Sequence, residues 1–305
     1  GVQTCALPIF ITMFIAVPTG IKIFNWIATM WGGYVRFTTP MLFSLGFVAM
    51  FVIGGISGVM HSVAPSDTQQ SDTYFIVAHL HYVLFGGSIF GLFAGFYYWW
   101  PKVFGRVLNE VLGKISFWLI FIGFNVTFFP MHFLGLDGMP RRVYTYAEGQ
   151  GWEFWNIFAT IGVFIIGLGV FAFLQNVWHS HRHGEKAPAD PWDGRTREWS
   201  VSSPPPEYNF KEIPTVTGLD QLWIDKKQNG IVVSDDPPAE DRSIHLPQPS
   251  YWPFVCSMGL LIAGYGAVYI SSIIGMVVTA IGFMTTMFAV YAWSFEPVND
   301  PEDSH

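Results

Sequence analysis

Residues 72–83 read Asp72-Thr73-Tyr74-Phe75-Ile76-Val77-Ala78-His79-Leu80-His81-Tyr82-Val83, and they place two histidines inside a stretch that is otherwise typical of a membrane-spanning helix. Successive residues of an α-helix are rotated by about 100°, so positions two apart point about 200° away from each other. His79 and His81 therefore cannot hold one metal ion between them, as a pair four residues apart could. The spacing predicts two different sites, one on each face of the helix.

A flat cofactor on each face, bound through its iron by one imidazole, fits this spacing. Neutral imidazole is a common axial ligand of haem iron. The alternative is that both histidines are structural and hydrogen-bonded. An ionisable residue inside a membrane span favours a function without saying which one, so the spacing alone leaves both interpretations open.

The composition is that of a membrane protein. Of the 305 residues, 51% are hydrophobic and only 12% are charged, against about 25% charged residues in a soluble domain. The formal net charge of -7 offers no basic surface, so nucleic-acid binding is excluded. Cys5 and Cys256 lie too far apart in sequence to form a metal-binding motif.

Seven apolar runs of about 20 residues or more could each cross a bilayer; they are 10–31, 39–61, 73–100, 115–136, 152–178, 251–270 and 272–295. The last two should form a tight helical hairpin. The polar stretch 179–250 is rich in Pro, Asp and Lys, and is predicted to be an extramembrane linker. The predicted fold class is all-α, a polytopic transmembrane helix bundle with about seven spans.

The orientation follows from the lysines and arginines of the short loops, because these concentrate on the cytoplasmic side. One side carries Arg36, Lys102, Arg106, Lys114, Arg182, Lys186, Arg195 and Arg197. The other side carries only Arg141 and Arg142. The first side is therefore predicted to be cytoplasmic, loops 62–72 and 137–151 face outside, and the acidic tail 296–305 ends inside.

Lys22 lies near the middle of the first predicted span, where burial of its charge would cost about 3 kcal/mol. An amine that loses its charge readily when desolvated suits proton conduction. Thr19, one helical turn away, would be its hydroxyl partner. The alternative is a lysine that extends along the helix toward the membrane surface.

Arg141 and Arg142 follow the fourth predicted span, just after Met139-Pro140, on the side from which the histidine helix enters. The planar fork of arginine pairs bidentately with carboxylates. Haem propionates would lie within reach of both side chains. The alternative is that the two arginines meet only lipid head groups.

Taken together, four stretches resemble subunit I of the haem-copper oxygen reductases, the cytochrome c oxidase family. They are His79-Leu80-His81-Tyr82-Val83, Pro18-Thr19-Gly20-Ile21-Lys22, Phe128-Phe129-Pro130-Met131-His132-Phe133-Leu134-Gly135-Leu136 and Met139-Pro140-Arg141-Arg142. The tail Pro204-Pro205-Pro206-Glu207-Tyr208 also fits. The resemblance runs from about Ile11 to Phe210 and covers the C-terminal half of that subunit, so residues 10–178 would be its last five helices.

The resemblance implies two haems, expected to be of the haem a type. His79 would be the proximal ligand of the high-spin haem iron and His81 an axial ligand of the low-spin haem iron, with Leu80 between them. Lys22 and Thr19 would lie on a proton path that serves catalysis. Arg141 and Arg142 would bind the propionates.

The implied activity is reduction of oxygen to water at a haem-copper centre, with electrons from cytochrome c and coupled proton translocation. A quinol is the alternative electron donor. The implied partners are oxidase subunits II and III, oxygen and membrane lipids, and the implied location is the inner (plasma) membrane of a bacterium. From another class, a haem-free proton-coupled transporter or a fragment whose helices merely pack is also an alternative.

The chain departs from the family pattern in three places. Ser71-Asp72 stands where the family has a His-Asp pair at a magnesium site, so only Asp72 is carried over as a metal ligand. Residues 1–9 do not match, and the helices that carry the copper ligands are not in this sequence, so we expect a truncated or chimeric product that is inactive alone. Residues 251–295 form an added hairpin whose start, from Pro249 to Pro253, resembles subunit III or a small accessory subunit.

Three further histidines, His179, His181 and His183, follow the fifth span. They could bind a metal at the surface. Cations at the end of a helix also interact favourably with its dipole, so contact with the dipole and the lipid surface is the competing interpretation.

Overall fold

The computed structural model describes residues 2–210, 212–230, 233–235 and 249–296, with side chains from residue 11 onward. Six helices of this part are long and apolar enough to cross a membrane, and a seventh apolar helix, Trp252–Val268, has 17 residues. The chain is therefore a multi-pass, all-α membrane protein, as the sequence predicts. The predictions for the side chains of residues 1–9 and for residues 297–305 fall outside the described residues.

The helices follow the predicted order along the chain. They are α1 (Val2–Met30), α2 (Thr39–His61), α3 (Ala64–Gln70), α4 (Tyr74–Val83), a π-helix (Leu84–Ile89), α5 (Phe90–Phe104), α6 (Glu110–Phe128), α7 (Pro130–Leu136), α8 (Glu153–His183), a 3-10 turn (Arg197–Ser200), α9 (Gln221–Lys227), α10 (Trp252–Val268) and α11 (Ile273–Ser294).

The third span is one continuous helical segment, Tyr74–Phe104, as the sequence predicts, but a π-helix at Leu84–Ile89 lies within it between α4 and α5. Two glycines of this wide turn lie against α2. A Cβ on Gly86 would stand 2.6 Å from the Cβ of Met50, and one on Gly87 would stand 3.1 Å from the ring of Phe51. Glycine is thus required where the turn approaches α2.

The core of the bundle is a cluster of aromatic side chains between α2, α5 and α6. Phe43 is completely buried and stacks on Phe93 and Tyr97, with ring centroids 5.0 and 5.7 Å apart. The edge of Phe117 meets the same ring at 5.1 Å. Such pairs add to the free energy gained by burial, so this cluster fixes how α5 is seated between α2 and α6.

At the end of the bundle where α2 and α6 begin, one carboxylate ties both helices together. Glu110 accepts hydrogen bonds from the backbone N–H of Thr39 at 3.1 Å and from its hydroxyl at 3.0 Å. The first N–H groups of a helix have no partner within the helix. Glu110 satisfies one of them and holds the start of α6 against the start of α2.

Residues 185–206 and 215–230, here called the cap, fold onto the same end of the bundle. Trp199 is completely buried, and its indole N–H donates to the hydroxyl of Tyr98 at 3.0 Å. Trp192 donates to the carbonyl of Tyr98 at 2.9 Å. The predicted linker 179–250 therefore contains a packed layer, and this layer belongs to the same compact unit as α1–α8.

The described residues of the second compact unit are 207–210, 212–214 and 249–296, and its helices form the predicted hairpin. Ser272 caps α11 by accepting the N–H of Gly275 at 3.0 Å. A Cβ on Gly259 would overlap Thr286, and one on Gly266 would overlap Thr279. Small residues allow two membrane helices to approach closely, which explains the pairing of α10 with α11.

Candidate functional site

His79 projects from α4 toward α2. Its Nδ1 lies 2.9 Å from the carbonyl oxygen of Gly54 and 2.9 Å from the hydroxyl oxygen of Ser57. The Ser57 hydroxyl itself donates to the carbonyl of Gly54 at 2.8 Å. One turn of α2 therefore fixes the orientation of the ring.

His81 lies against α6 instead. Its ring stacks on Phe128, with centroids 4.1 Å apart and an angle of 15° between the planes. Its Nδ1 lies 2.7 Å from the carbonyl oxygen of Val77, one turn back on α4. The two imidazoles thus meet different neighbours, as the spacing predicts, and Leu80 between them is partly exposed.

The start of α4 is fixed by Thr73. Its hydroxyl accepts the N–H of Phe75 at 3.2 Å and donates to the carbonyl of Gln70 at 2.8 Å. A threonine in this position satisfies a helix N–H that would otherwise have no partner. The hydrogen bonds set where α4 begins, and thereby which turn carries the two histidines.

Two more histidines, which sequence reasoning left without a role, lie near His79. The ring of His61, the last residue of α2, has its centroid 5.0 Å from that of His79. Its Nδ1 lies 2.7 Å from the carbonyl of Ser57, and its buried Nε2 has no hydrogen-bond partner in the described chain. His132 packs its edge on Phe75 at 4.9 Å. The only sequence signal for His61 was a histidine at the end of an apolar run.

Arg141 is joined to the start of α4 through both backbone and side chain. Its N–H donates to the carbonyl of Asp72 at 2.9 Å, and Tyr74 donates to the carbonyl of Met139 at 2.9 Å. The Arg141 guanidinium donates to the Asp72 carboxylate at 2.7 Å. Asp72, predicted to bind magnesium, is thus paired with an arginine predicted to bind a propionate.

The guanidinium of Arg141 retains capacity for another acceptor. Its Nε is buried and has no hydrogen-bond partner in the described chain, while its side chain as a whole is 27% exposed. Arg142 follows with a positive φ of 67°, a conformation that is uncommon for residues other than glycine. The backbone conformation therefore differs between Arg141 and Arg142.

Lys22 and Thr19 lie on α1, away from the histidines. Lys22 is exposed, and the described part of the chain contains no ion pair or hydrogen bond to its ammonium. The Thr19 hydroxyl donates to the carbonyl of Ile15 at 3.0 Å. The predicted pairing of Thr19 with Lys22 is not present as a hydrogen bond in the structure.

The surface histidines after the fifth span form the end of α8. The rings of His179 and His183 have centroids 5.3 Å apart, and Arg182 stacks on Trp178 at 3.9 Å. Among the described residues no group of three or more His, Cys, Asp or Glu could hold a metal ion.

Lys102, counted in the sequence only as a charge that sets orientation, is 6% exposed. Its ammonium donates to the carbonyls of Ala189, Val201 and Ser202 at 2.9, 2.7 and 3.2 Å. It also lies 5.2 Å from the ring centroid of Trp199. A buried cation requires such acceptors, so Lys102 fastens the cap to the end of α5.

Comparison with known proteins assigns the chain to a family. Residues 2–165, more than half of the chain, match the family described as Cytochrome C and Quinol oxidase polypeptide I. Cytochrome c oxidase subunit 1 of Bacillus sp. (strain PS3) is 51% identical over 92% of this chain and 46% of its own length. The same subunit of Bacillus subtilis (strain 168) is 54% identical over 85% of this chain and 41% of its own length.

Quinol oxidase subunit 1 of Bacillus subtilis (strain 168) is 46% identical over 85% of this chain and 40% of its own length. The chain thus spans less than half the length of these curated relatives. The matched residues include the histidine helix α4, the first span with Lys22 and the Arg141-Arg142 pair. On these grounds the chain belongs to the family of cytochrome c and quinol oxidase polypeptide I.

Proposed function

We propose that this chain is part of the catalytic subunit of a terminal respiratory oxidase, which reduces oxygen to water and couples that reaction to proton translocation. The observation that carries the proposal is the placement of His79 and His81 on opposite faces of α4, against α2 and α6 respectively. One helix with an imidazole on each face can bind two flat cofactors and separate them by the width of its backbone.

The residues present fit two haems. Each histidine directs Nδ1 to a backbone carbonyl, at 2.9 Å for His79 and 2.7 Å for His81. A hydrogen bond from Nδ1 leaves Nε2 as the ring nitrogen with a lone pair for a metal. The buried Nε of Arg141, which has no partner in the described residues, is a donor suited to an anionic group such as a propionate.

When bound, the two haems, expected to be of the haem a type, and a copper ion would supply electron transfer and the reduction of oxygen. His79 would hold the high-spin haem iron and His81 the low-spin haem iron. The copper ligands would come from a part of the subunit outside this chain. Arg141 and Arg142 would compensate the charge of the propionates.

Lys22 would move protons toward the oxygen-reducing site. Its side chain lies on α1 and is exposed in this chain. Thr19, whose hydroxyl already donates to the carbonyl of Ile15, retains a lone pair with which to accept a hydrogen bond from water or from the Lys22 ammonium. Asp72, whose Oδ1 accepts from Arg141, would contribute to a magnesium site through Oδ2.

The electron donor would be cytochrome c, acting through subunit II, with subunit III as a further partner. This choice rests on the two relatives named cytochrome c oxidase, at 51% and 54% identity, against 46% for the quinol oxidase. A quinol is the second candidate on the basis of that last relative. The location would be the inner (plasma) membrane of a bacterium, with the C-terminus in the cytoplasm and lipid around the bundle.

Reduced-minus-oxidised spectra of the assembled oxidase test the proposal. His79→Ala should remove the high-spin haem signal and His81→Ala the low-spin signal, because each substitution removes one iron ligand. Leu80→Ala, between them on the same turn, is the matched control and should retain both signals. If each histidine variant folds but loses both signals equally, the assignment to two faces is wrong.

A further inference from the structure

The end of α8 carries three histidines, and the structure divides them between two faces of the helix. His181 packs in edge-to-face geometry against Trp100 and Phe104, with ring centroids 6.2 and 5.7 Å away. His179 and His183 lie four residues apart, so they share the face of the helix opposite to His181. We propose that His179 and His183 together bind a divalent transition-metal ion such as Zn²⁺.

The separation of the two rings matches that of two imidazoles bound to one ion. A zinc-binding imidazole nitrogen lies about 2 Å from the metal, which places the centre of the ring about 3 Å from it. Two rings at a tetrahedral angle around one ion therefore have centroids about 5 Å apart. The centroids of His179 and His183 are 5.3 Å apart, so both rings can reach the same ion after small rotations of their side chains.

The two rings have no other partner that would compete with a metal. Neither imidazole forms a hydrogen bond or an ion pair with the part of the chain that the structure describes, and both side chains are exposed. The positive charge of Arg182 disfavours a cation nearby, although its guanidinium is stacked on Trp178 at 3.9 Å. The last carbonyls of a helix carry partial negative charge, which favours a cation at the end of α8.

The ligands determine the class of ion. Imidazole nitrogen suits zinc, copper and nickel, whereas magnesium and calcium prefer oxygen ligands. Among the described residues no group of three or more His, Cys, Asp or Glu could hold a metal ion. Water therefore completes the coordination of an ion held by this pair, and the order of affinity should place Cu²⁺ above Zn²⁺.

A metal ion at this pair would fasten the turn at which the chain leaves α8. His183 is the last residue of the helix, and the N–H of Gly184 donates to the carbonyl of Ser180 at 2.8 Å. The carbonyl of Gly184 accepts from the guanidinium of Arg106 at 2.6 Å. An ion that joins His179 to His183 bridges this turn, so it stabilises these hydrogen bonds against opening.

Hydrogen exchange of the full chain in detergent, read by mass spectrometry, tests the inference with Zn²⁺ as the probe. At a Zn²⁺ concentration about ten times the dissociation constant, exchange of the amides of residues 180–184 should slow about tenfold, because the ion binds only the closed turn. Mg²⁺ at the same concentration should leave these amides unchanged, and excess EDTA should reverse the effect of Zn²⁺. The position of the slowed amides distinguishes this site from histidines elsewhere in the chain.

Three alanine variants identify the ligands. His179→Ala and His183→Ala should each remove the slowing by Zn²⁺, because a single imidazole lacks the second ligand that the helix holds nearby. His181→Ala is the matched control, since it removes a histidine two positions from each ligand but on the other face, and it should keep the slowing. Alanine is a better helix former than histidine, so all three variants should fold.

Any of four outcomes would overturn the inference. They are no slowing up to about 1 mM Zn²⁺, equal slowing by Mg²⁺, slowing that survives His179→Ala or His183→Ala, and loss of the slowing in His181→Ala. If the amides exchange too fast to be measured, modification of the imidazoles by diethylpyrocarbonate decides. Zn²⁺ should then protect His179 and His183 and leave His181 as reactive as before, whereas equal reactivity of all three would contradict the site.

Discussion

At the scale of single residues, the carbonyl of Gly54 determines which nitrogen of His79 is available. A carbonyl oxygen can only accept a hydrogen bond, so the Nδ1 that lies 2.9 Å from it must carry the proton. Nε2 then keeps its lone pair. The same reasoning applies to His81 and the carbonyl of Val77 at 2.7 Å. The backbone therefore orients both rings with Nδ1 toward a carbonyl oxygen, without help from a carboxylate.

The two-face arrangement could be predicted from the sequence because it depends only on the local helical rotation of α4. The partners of these residues could not be predicted. Ser57 lies 22 positions from His79, and Asp72 lies 69 positions from Arg141. Such pairs exist only after α2, α4 and α7 have packed. His61 was not predicted as a site residue for the same reason, because its proximity to His79 exists only after α2 has packed against α4.

The pairing of Arg141 with Asp72 predicts opposite shifts in haem midpoint potential. Arg141→Gln removes a cation that favours the reduced, more negative haem, so the potential should fall. Asp72→Asn removes an anion, so the potential should rise, but by less, because this carboxylate is 90% exposed. Removal of one such charge should change the free energy of haem reduction by on the order of 1 kcal/mol, which corresponds to tens of millivolts in midpoint potential. A redox titration of the assembled oxidase measures both shifts.

Arg182→Gln is the control for this titration. Arg182 lies in the last turn of α8, and its substitution should leave both potentials unchanged. If neither Arg141→Gln nor Arg142→Gln moves either potential beyond error, the two arginines meet only lipid head groups.

Lys22→Met should stop steady-state oxygen consumption in the assembled oxidase while leaving both haem spectra intact. The substitution removes the protonatable group of α1 but keeps most of the side-chain volume and touches no iron ligand. Lys114→Met is the control, because Lys114 also lies on a span but pairs with Glu110 at 3.7 Å. If the Lys22→Met variant turns over at a rate close to that of the natural enzyme, the alternative is favoured, in which the lysine only extends along the helix toward the membrane surface.

At the scale of elements, the sequence predicts the spans well but not the interruption of the third one. Hydrophobic periodicity detects length and apolar character, and both are unaffected when a π-helix adds a residue to one turn. The helix at Leu84–Ile89 depends on close approach to α2 at Met50 and Phe51. Sequence patterns within one segment carry no information about such a neighbour.

Gly135 lies where α7 packs against α4, so a substitution at this position should have a strong effect on stability. A Cβ there would overlap the backbone nitrogen of Phe75 and stand 2.6 Å from its Cβ. Backbone atoms of α4 cannot move aside as a flexible side chain can. Gly135→Ala should therefore reduce stability by about 1–3 kcal/mol, measured as a lower thermal midpoint of the chain in detergent.

Gly167→Ala is the comparison for Gly135→Ala, because a Cβ on Gly167 would have no atom within 4 Å. It should keep or slightly raise the midpoint, since alanine favours a helix over glycine. Equal midpoints for the two variants would show that α7 can shift on α4 without loss of stability.

At the scale of the whole molecule, the polar composition of residues 179–250 conceals a packed layer. The stretch contains Trp192, Trp199 and Trp223, which could have indicated burial. Its prolines and charged residues, however, dominate its average hydropathy. The family resemblance identified the bundle and the histidine helix, whereas the contacts of the cap arise from residues up to 101 positions apart. The cap therefore had to be found in the structure.

The cap should loosen in acid, because Asp225 joins α9 to Arg197. A hydrogen bond from Gln221, followed by the charge of Arg197, holds the pKa of Asp225 below its ordinary value. A carboxyl whose pKa is lowered on folding stabilises the folded state above its unfolded pKa of about 3.9, and that stabilisation is lost as the pH falls through the lower, folded value. Hydrogen-exchange protection of residues 189–206, corrected for intrinsic rates, should therefore decrease below about pH 4.

Asp225→Asn removes this titration, so it should weaken the cap at neutral pH and flatten its response to acid. Asp220→Asn removes the partner of Arg195 in a half-exposed pair, which contributes little to stability, and should leave the natural response intact. An acid response that survives Asp225→Asn unchanged would assign the loosening to another group.

The burial of Lys102 has a consequence for the order in which the chain is made. Its three acceptor carbonyls lie 87, 99 and 100 residues further along the chain. Ribosomes add about 5–20 residues per second, so these acceptors emerge on the order of 5–20 s after the lysine. During that interval the ammonium remains in water, where the insertion machinery can read it as a topological charge. Because α6 and α8 precede the cap in the chain, Lys102 can meet these acceptors only after both helices have been made, so a charge that is available while the chain is inserted holds the finished end together afterwards.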